Sequence, residues 1–231
     1  TGAGGALSDT DTVAITVTAV NDAPINTVPT SQILNEDATK AITALRVADV
    51  DDSGGNMTVT LTVQNGSIAV LASTGVAITG SGTATVQLVG SKTNLNTALA
   101  ATNGVVYTPN ADYNGSDPLT MTTSDGGNTG AGGALTDTDT VNLVINAVND
   151  APVLATTSTL AYSENGAATP INTVITVADV DNTALASGTV SISTGFVTGQ
   201  DVLSFTNVPA TMGNIAGSYN CLLYTSDAAD E

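Results

Sequence analysis

The 231-residue chain carries 21 acidic residues against three basic ones and no histidine, a formal charge of −18. Such a surface repels nucleic-acid phosphates and anionic lipid, and without histidine there is no Ser-His or Cys-His nucleophile pair and no ordinary zinc site. No apolar run approaches the roughly 20 residues that span a bilayer, and the single cysteine, Cys221, has no partner for a disulfide within the chain.

A shift of 128 positions superimposes residues 1–24, TGAGGALSDTDTVAITVTAVNDAP, on residues 129–152, TGAGGALTDTDTVNLVINAVNDAP, with 18 of 24 letters identical. Identity that dense marks repeated units. Residues 1–24 read as the end of one repeat with its linker, 25–152 as a complete repeat, and 153–220 as the truncated start of the next. A start at Thr1, with neither Met nor a signal-peptide pattern, reads as an internal piece of a longer protein.

Within a repeat the apolar period is two, the mark of half-buried strands. In chain order, Val13, Ile15 and Val17 face inward in the first copy of the terminal strand. Met57, Val59, Leu61 and Val63 do so in MTVTLTV, Ala84, Val86 and Leu88 in TATVQLV, and Val141, Leu143 and Ile145 in the second terminal copy. Turn chemistry separates them at Asn65-Gly66, Asn103-Gly104, Asn114-Gly115 and Gly126-Gly127. One stretch, 91–104, predicts a short helix instead: Ser91 or Thr93 caps it, Leu95 and Leu99 share a face, and Gly104 ends it. Many short strands and almost no helix predict an all-β fold of two-sheet, Greek-key sandwiches. Aromatics are only 3% of the chain, so the cores are expected to be aliphatic. TGAGGAL lacks the Gly-Lys-Ser/Thr of a phosphate loop and precedes a strand, which reads as a mobile hairpin loop.

Acids recur at fixed places. VADVD stands at 47–51 and again at 177–181, pairing Asp49 and Asp51 with Asp179 and Asp181. In extended chain their carboxylates are about 6.5 to 7 Å apart on one side, where one cation bridges them if the loop bends. Glu36 and Glu164 lie near the first strand of each copy, and Asp125 closes a strand in TTSDGG. Hard oxygen ligands at this density suit Ca2+ better than zinc. An EF-hand is excluded, because DVDDSG places Thr60 where the bidentate Glu belongs and Ala184 replaces the glycine in the second copy. Asp and Asn near turns also cap backbone groups, so each acid alone has an ordinary structural reading. Asp9, Asp11, Asp137 and Asp139 of the TDTDT runs read as solvated.

In that order, NED, VADVDDSGGN, LTMTTSDGG and VNLVINAVNDAPV resemble the cadherin-like tandem repeats of very large bacterial surface adhesins, RTX-type and VCBS-type proteins among them. The resemblance covers residues 1–220 and implies tandem immunoglobulin/cadherin-like β-sandwiches whose junctions bind Ca2+. Carried over, it implies Asn21, Asp22, Asp49, Asp51 and Asp125 at the first junction, and Glu36, Asn149, Asp150, Asp179 and Asp181 at the second. Ala19 and Ala147 stand where animal cadherins have a further Asp, and the Asp-Arg-Glu motif is missing, so fewer ions per joint are implied.

The function expected is a non-enzymatic, calcium-rigidified spacer of an extracellular bacterial surface adhesin that supports cell adhesion and biofilm. Its partners would be neighbouring repeats of the same chain, and no nucleic acid or membrane insertion. Two other readings stay open. One is a module that binds carbohydrate or another cell's adhesin through the loop at 110–117, where Tyr113 would grip the ligand. The other is an accessory domain of a secreted hydrolase. Residues 221–231, CLLYTSDAADE, break the alternation, resemble translated adapter sequence and are expected to be a non-native tail.

Overall fold

In the computed structural model, which describes residues 2–156, 159–172, 175–204 and 206, the chain is mostly β with one short helix. It divides into two units, Thr1–Ala151 and Pro152–Glu231. The tail at 221–231 lies outside the described residues.

The first unit opens with β1 (Ile25–Thr27), β2 (Gln32–Asn35), β3 (Lys40–Ala41), β4 (Arg46–Ala48), β5 (Asn56–Thr62) and β6 (Gly66–Val70). It continues with β7 (Val76–Thr79), β8 (Thr85–Ser91), α1 (Lys92–Ala100), β9 (Val105–Pro109), β10 (Gly115–Ser124) and β11 (Thr136–Asn146). Three sheets enclose its core: a six-stranded one in the order β2-β11-β10-β5-β8-β7, a three-stranded one, β3-β9-β6, and the ribbon β1-β4. All pairings are antiparallel except β2 with β11. The first two strands thus go to different sheets, β1 onto β4 and β2 alongside β11, and clasp the unit at its start.

The alternation expected from the sequence is present where the strands are longest. Met57, Val59, Leu61 and Val63 are buried, as are Val86 and Leu88, and Val141, Leu143 and Ile145. Ala84 is exposed, because β8 begins one residue later, at Thr85. The core is aliphatic, with Met57 and Met121, apart from Tyr107, which is fully buried. Its hydroxyl donates to Asp117 (2.8 Å), a carboxylate with no exposed surface that also accepts from the backbone N–H of Gln64 and Asn65 (2.9 Å each). A buried ion satisfied this way holds the Asn65-Gly66 turn against β10, and burial followed by the Asp117 bond pushes the Tyr107 phenol well above its ordinary pKa.

The helix starts where its cap was expected, the Ser91 hydroxyl accepting from Asn94 N (3.3 Å), with Leu95, Ala98 and Leu99 buried. Gly104 follows closely enough that a Cβ there would lie 2.3 Å from the Ala98 carbonyl oxygen. Asn96 accepts from Val47 N and donates to Val47 O, both at 2.8 Å, so its amide pairs with β4 as a neighbouring strand would.

Residues 2–19 contain no strand, and Val13, Ile15 and Val17, expected to face inward, are 86%, 83% and 87% exposed. Alternation orders a strand only where a sheet receives its apolar face, and this copy has none. The Asp137 of the TDTDT run is likewise not merely solvated, since its carboxylate accepts from Asn26 N (2.7 Å).

In the second unit, β12 (Val153–Ala155) pairs antiparallel with β13 (Thr176–Ala178). The register Val153↔Ala178 repeats Ile25↔Ala48, the paired residues lying 25 positions apart in the second copy against 23 in the first. Asp37 and Asn165, 128 positions apart, share a left-handed backbone at φ 58° and 61°.

Candidate metal centre

β4 ends at Ala48 and hands directly to Asp49-Val50-Asp51, while β10 ends at Ser124 and hands to Asp125. These strand ends meet the incoming AVNDAP linker. Ala131, in the glycine-rich loop between β10 and β11, accepts from Asn21 N (3.0 Å) and donates to Ala19 O (3.1 Å). Gly130 makes this approach possible: at φ 80° it favours glycine, and a Cβ would sit 2.7 Å from Asn21 N. The loop read as a mobile hairpin is therefore the seat of the linker.

The seat places Asn21, Asp49, Asp51 and Asp125 around one pocket, with Asp52, Met57, Asn128 and Thr129 completing its wall. Asn21 is buried and donates its amide to Asp125 Oδ2 (2.6 Å) and to Gly133 O (3.0 Å). Asp125, 4% exposed, accepts further bonds from Gly127 N and Leu135 N (2.8 Å each). Burial alone would raise its pKa, but the donors from Leu135, Asn21 and Gly127 outweigh it and hold the carboxyl below its ordinary value. Asp49 is pushed the other way, by burial first and then by the charges of Asp51 and Asp125, with the bond from Asp51 N opposing. That bond (3.1 Å) is the bend the extended spacing required, and Asp181 N to Asp179 Oδ1 (3.0 Å) repeats it in the second unit. Asp51 takes Asp22 N on Oδ2 (2.8 Å), whereas its buried Oδ1 has no hydrogen-bond partner. A buried anionic oxygen without a donor is costly, and a cation would relieve it.

Asp22, expected as a ligand, is exposed and does not line the pocket; its backbone N–H donates to Asp51. Asp52 and Asn128, which carried no repeat signal, were missed by the sequence. So was Lys92, whose ammonium pairs with Asp52 (3.2 Å) and donates to Asp49 O (2.8 Å). Asp52 directly follows the Asp-x-Asp and was legible as a neighbour. Lys92 is 43 positions from Asp49, beyond the reach of local pattern.

The far end of the six-stranded sheet holds the outgoing linker in a parallel way. Ten residues of β10 separate the two ends, roughly 30 Å of strand. Glu36 is buried and accepts from Val148 N (2.6 Å) and the Asn114 amide (3.4 Å), so an acid anchors this copy of the linker also. Asn149 is exposed and donates to Asp150 O (3.0 Å). One carboxylate oxygen each from Asp37, Asp112 and Asp150 lie within 4.8 Å of one another, and the first two of these were not read from sequence as metal ligands. In the second unit, Asp179 is half-buried while Asp181 and Glu164 are exposed. Tyr113 of the 110–117 loop is half-buried and packs against the core, its hydroxyl donating to Ser116 O (2.9 Å) and accepting from the Asn65 amide (3.1 Å).

No family model and no curated protein match this chain.

Proposed function

We propose that the chain is a non-enzymatic spacer of tandem cadherin-like repeats from a large extracellular bacterial adhesin, with Ca2+ stiffening its joints. One observation carries the reading: the incoming linker is seated beside Asp49, Asp51 and Asp125, and Asp51 Oδ1 is buried there without a donor. The division of the first two strands, β1 on β4 and β2 parallel beside β11, supports an immunoglobulin- or cadherin-like Greek key. Apart from Met57, the side chains of the wall offer carboxylate, amide and hydroxyl oxygens, hard ligands that suit Ca2+. Asp49, Asp51 and Asp125 would hold the ion, with Asn21 fixing Asp125 in place. Bound Ca2+ would supply the positive charge that turns mutual repulsion of these carboxylates into cohesion between linker and sandwich. The chain's own part is to fix Asp49 and Asp125 at the pocket wall before the ion arrives, through the Asx bend at Asp49 and the three donors on Asp125.

Extracellular sites of this kind bind with dissociation constants on the order of 0.1 to 1 mM. Thermal unfolding in chelator, then with calcium up to ~10 mM, is expected to show a midpoint rising through the millimolar range, by up to about 2.7 kcal/mol of linkage at 100-fold saturation. Magnesium should do much less, and Asp51→Asn should abolish the rise. A midpoint indifferent to calcium would sink the reading.

A further inference from the structure

Lys92 is the first residue of α1, immediately after the Ser91 cap. A cation there opposes the helix macrodipole, and the first turn contains no acid to offset it. The chain has three basic residues in all, and among the described residues this one makes the only ion pair. A residue that breaks a local rule while consuming a scarce charge is a sign of function elsewhere. Its ammonium spans the rim of the acid pocket, 3.2 Å from Asp52 Oδ2 and 2.8 Å from the backbone oxygen of Asp49. Asp49 and Asp52 both line the pocket that the linker closes.

We infer that Lys92 sets the affinity of this joint for divalent cations, acting as a built-in counter-charge that steadies the empty pocket and keeps calcium binding weak. The inference rests on the calcium reading above. A fixed positive charge beside the site has two effects of the same sign. In the metal-free protein it offsets repulsion among Asp49, Asp51, Asp52 and Asp125, so less is gained when an ion enters. In the loaded protein it repels the ion directly. Both move the joint's response toward higher calcium concentration, so a joint with this lysine fills at a higher calcium level than one without it. Lys92 is a positioning residue, because it bonds to the wall and not to the ion.

The test uses the full chain and calcium itself, in three forms: parent, Lys92→Met and Lys92→Arg. Calcium titration followed by calorimetry is expected to give Lys92→Met a dissociation constant about three- to tenfold lower than the parent, the size of effect expected of one partly screened unit charge near a divalent ion. Lys92→Arg, which keeps the charge, should stay near the parent. In chelator, Lys92→Met should melt lower than the parent and recover as sodium chloride rises, because salt screens the exposed repulsion. A purely structural role would not produce that salt-dependent recovery. A parent that binds calcium while Lys92→Met binds with unchanged or weaker affinity overturns the role of Lys92 and leaves the calcium joint standing. A parent that does not respond to calcium overturns both.

Discussion

The two copies of the 24-residue segment have opposite fates. Leu143 in the second copy is fully buried between β10 and β2, while Ile15, its counterpart 128 positions earlier, is 83% exposed and belongs to no strand. The letters are nearly the same, so the difference comes from what each copy meets. A strand's alternation is an offer of an apolar face, and it becomes structure only when a sheet takes it. The glycines repeat the lesson. A Cβ on Gly130 would lie 2.7 Å from the linker's Asn21 N, while one on the equivalent Gly2 would have nothing within 4 Å.

Substitutions at matched positions sharpen the contrast. The largest effect is expected at the core. Leu143→Ala should cost about 2 to 5 kcal/mol in denaturant unfolding of the first unit, whereas Ile15→Ala should fall within about 0.5 kcal/mol of the parent. Equal losses at the two sites would show that the first copy is also packed. Next comes the seat of the linker. Gly130→Ala forces a side chain into left-handed backbone and into Asn21, so a loss of about 1 to 3 kcal/mol is expected, while Gly2→Ala should be silent. Hydrogen exchange at the Asn21 amide would report the same difference locally.

The smallest and most specific contrast is between two acids of one pocket, read from melts in chelator across pH. The folded-state pKa of Asp125 lies below its ordinary value. Its contribution is therefore present above the unfolded pKa of about 3.9 and is lost as pH falls through the folded value. Asp125→Asn should remove that part of the acid transition and lower stability at neutral pH. The pKa of Asp49 is raised, so its ionised form weighs against folding above the folded pKa, and the penalty vanishes below the unfolded one. Asp49→Asn should then leave the metal-free protein as stable at neutral pH or slightly more so. If both substitutions cost the same, the opposed shifts of the two carboxyls are not real.

Much of this was legible in the sequence, and for identifiable reasons. The period-two runs at 57–63 and 141–145 marked core strands because both lie inside a complete set of partners. Ser91, Leu95 and Leu99 marked the helix because capping and i, i+4 spacing are local. VADVD, TTSDGG and AVNDAP pointed to three carboxylates and the asparagine of one pocket because the acids follow strand ends that the topology brings to the edge where the linker enters. What escaped was set by distant contact. Lys92 reaches Asp49 and Asp52 only after α1 folds back, Asp117 meets Tyr107 inside the core, and Gly130 accepts a linker more than 100 residues earlier in the chain. Ala84 was misplaced by a shift of a single residue at a strand boundary.

Asn96 has a consequence for the whole chain. A protein that spells the same segments more than once keeps chemically similar strands at high local concentration, and any open strand edge invites pairing with the wrong copy. Val47 lies in β4, whose counterpart β13 carries the same Val-Ala-Asp wording. By occupying both the N–H and the carbonyl of Val47, the Asn96 amide closes that edge with a side chain, which cannot be extended into a further strand. The short helix is in this sense insulation: it lets similar sequences stand side by side in one polypeptide while each keeps its hydrogen bonds to itself.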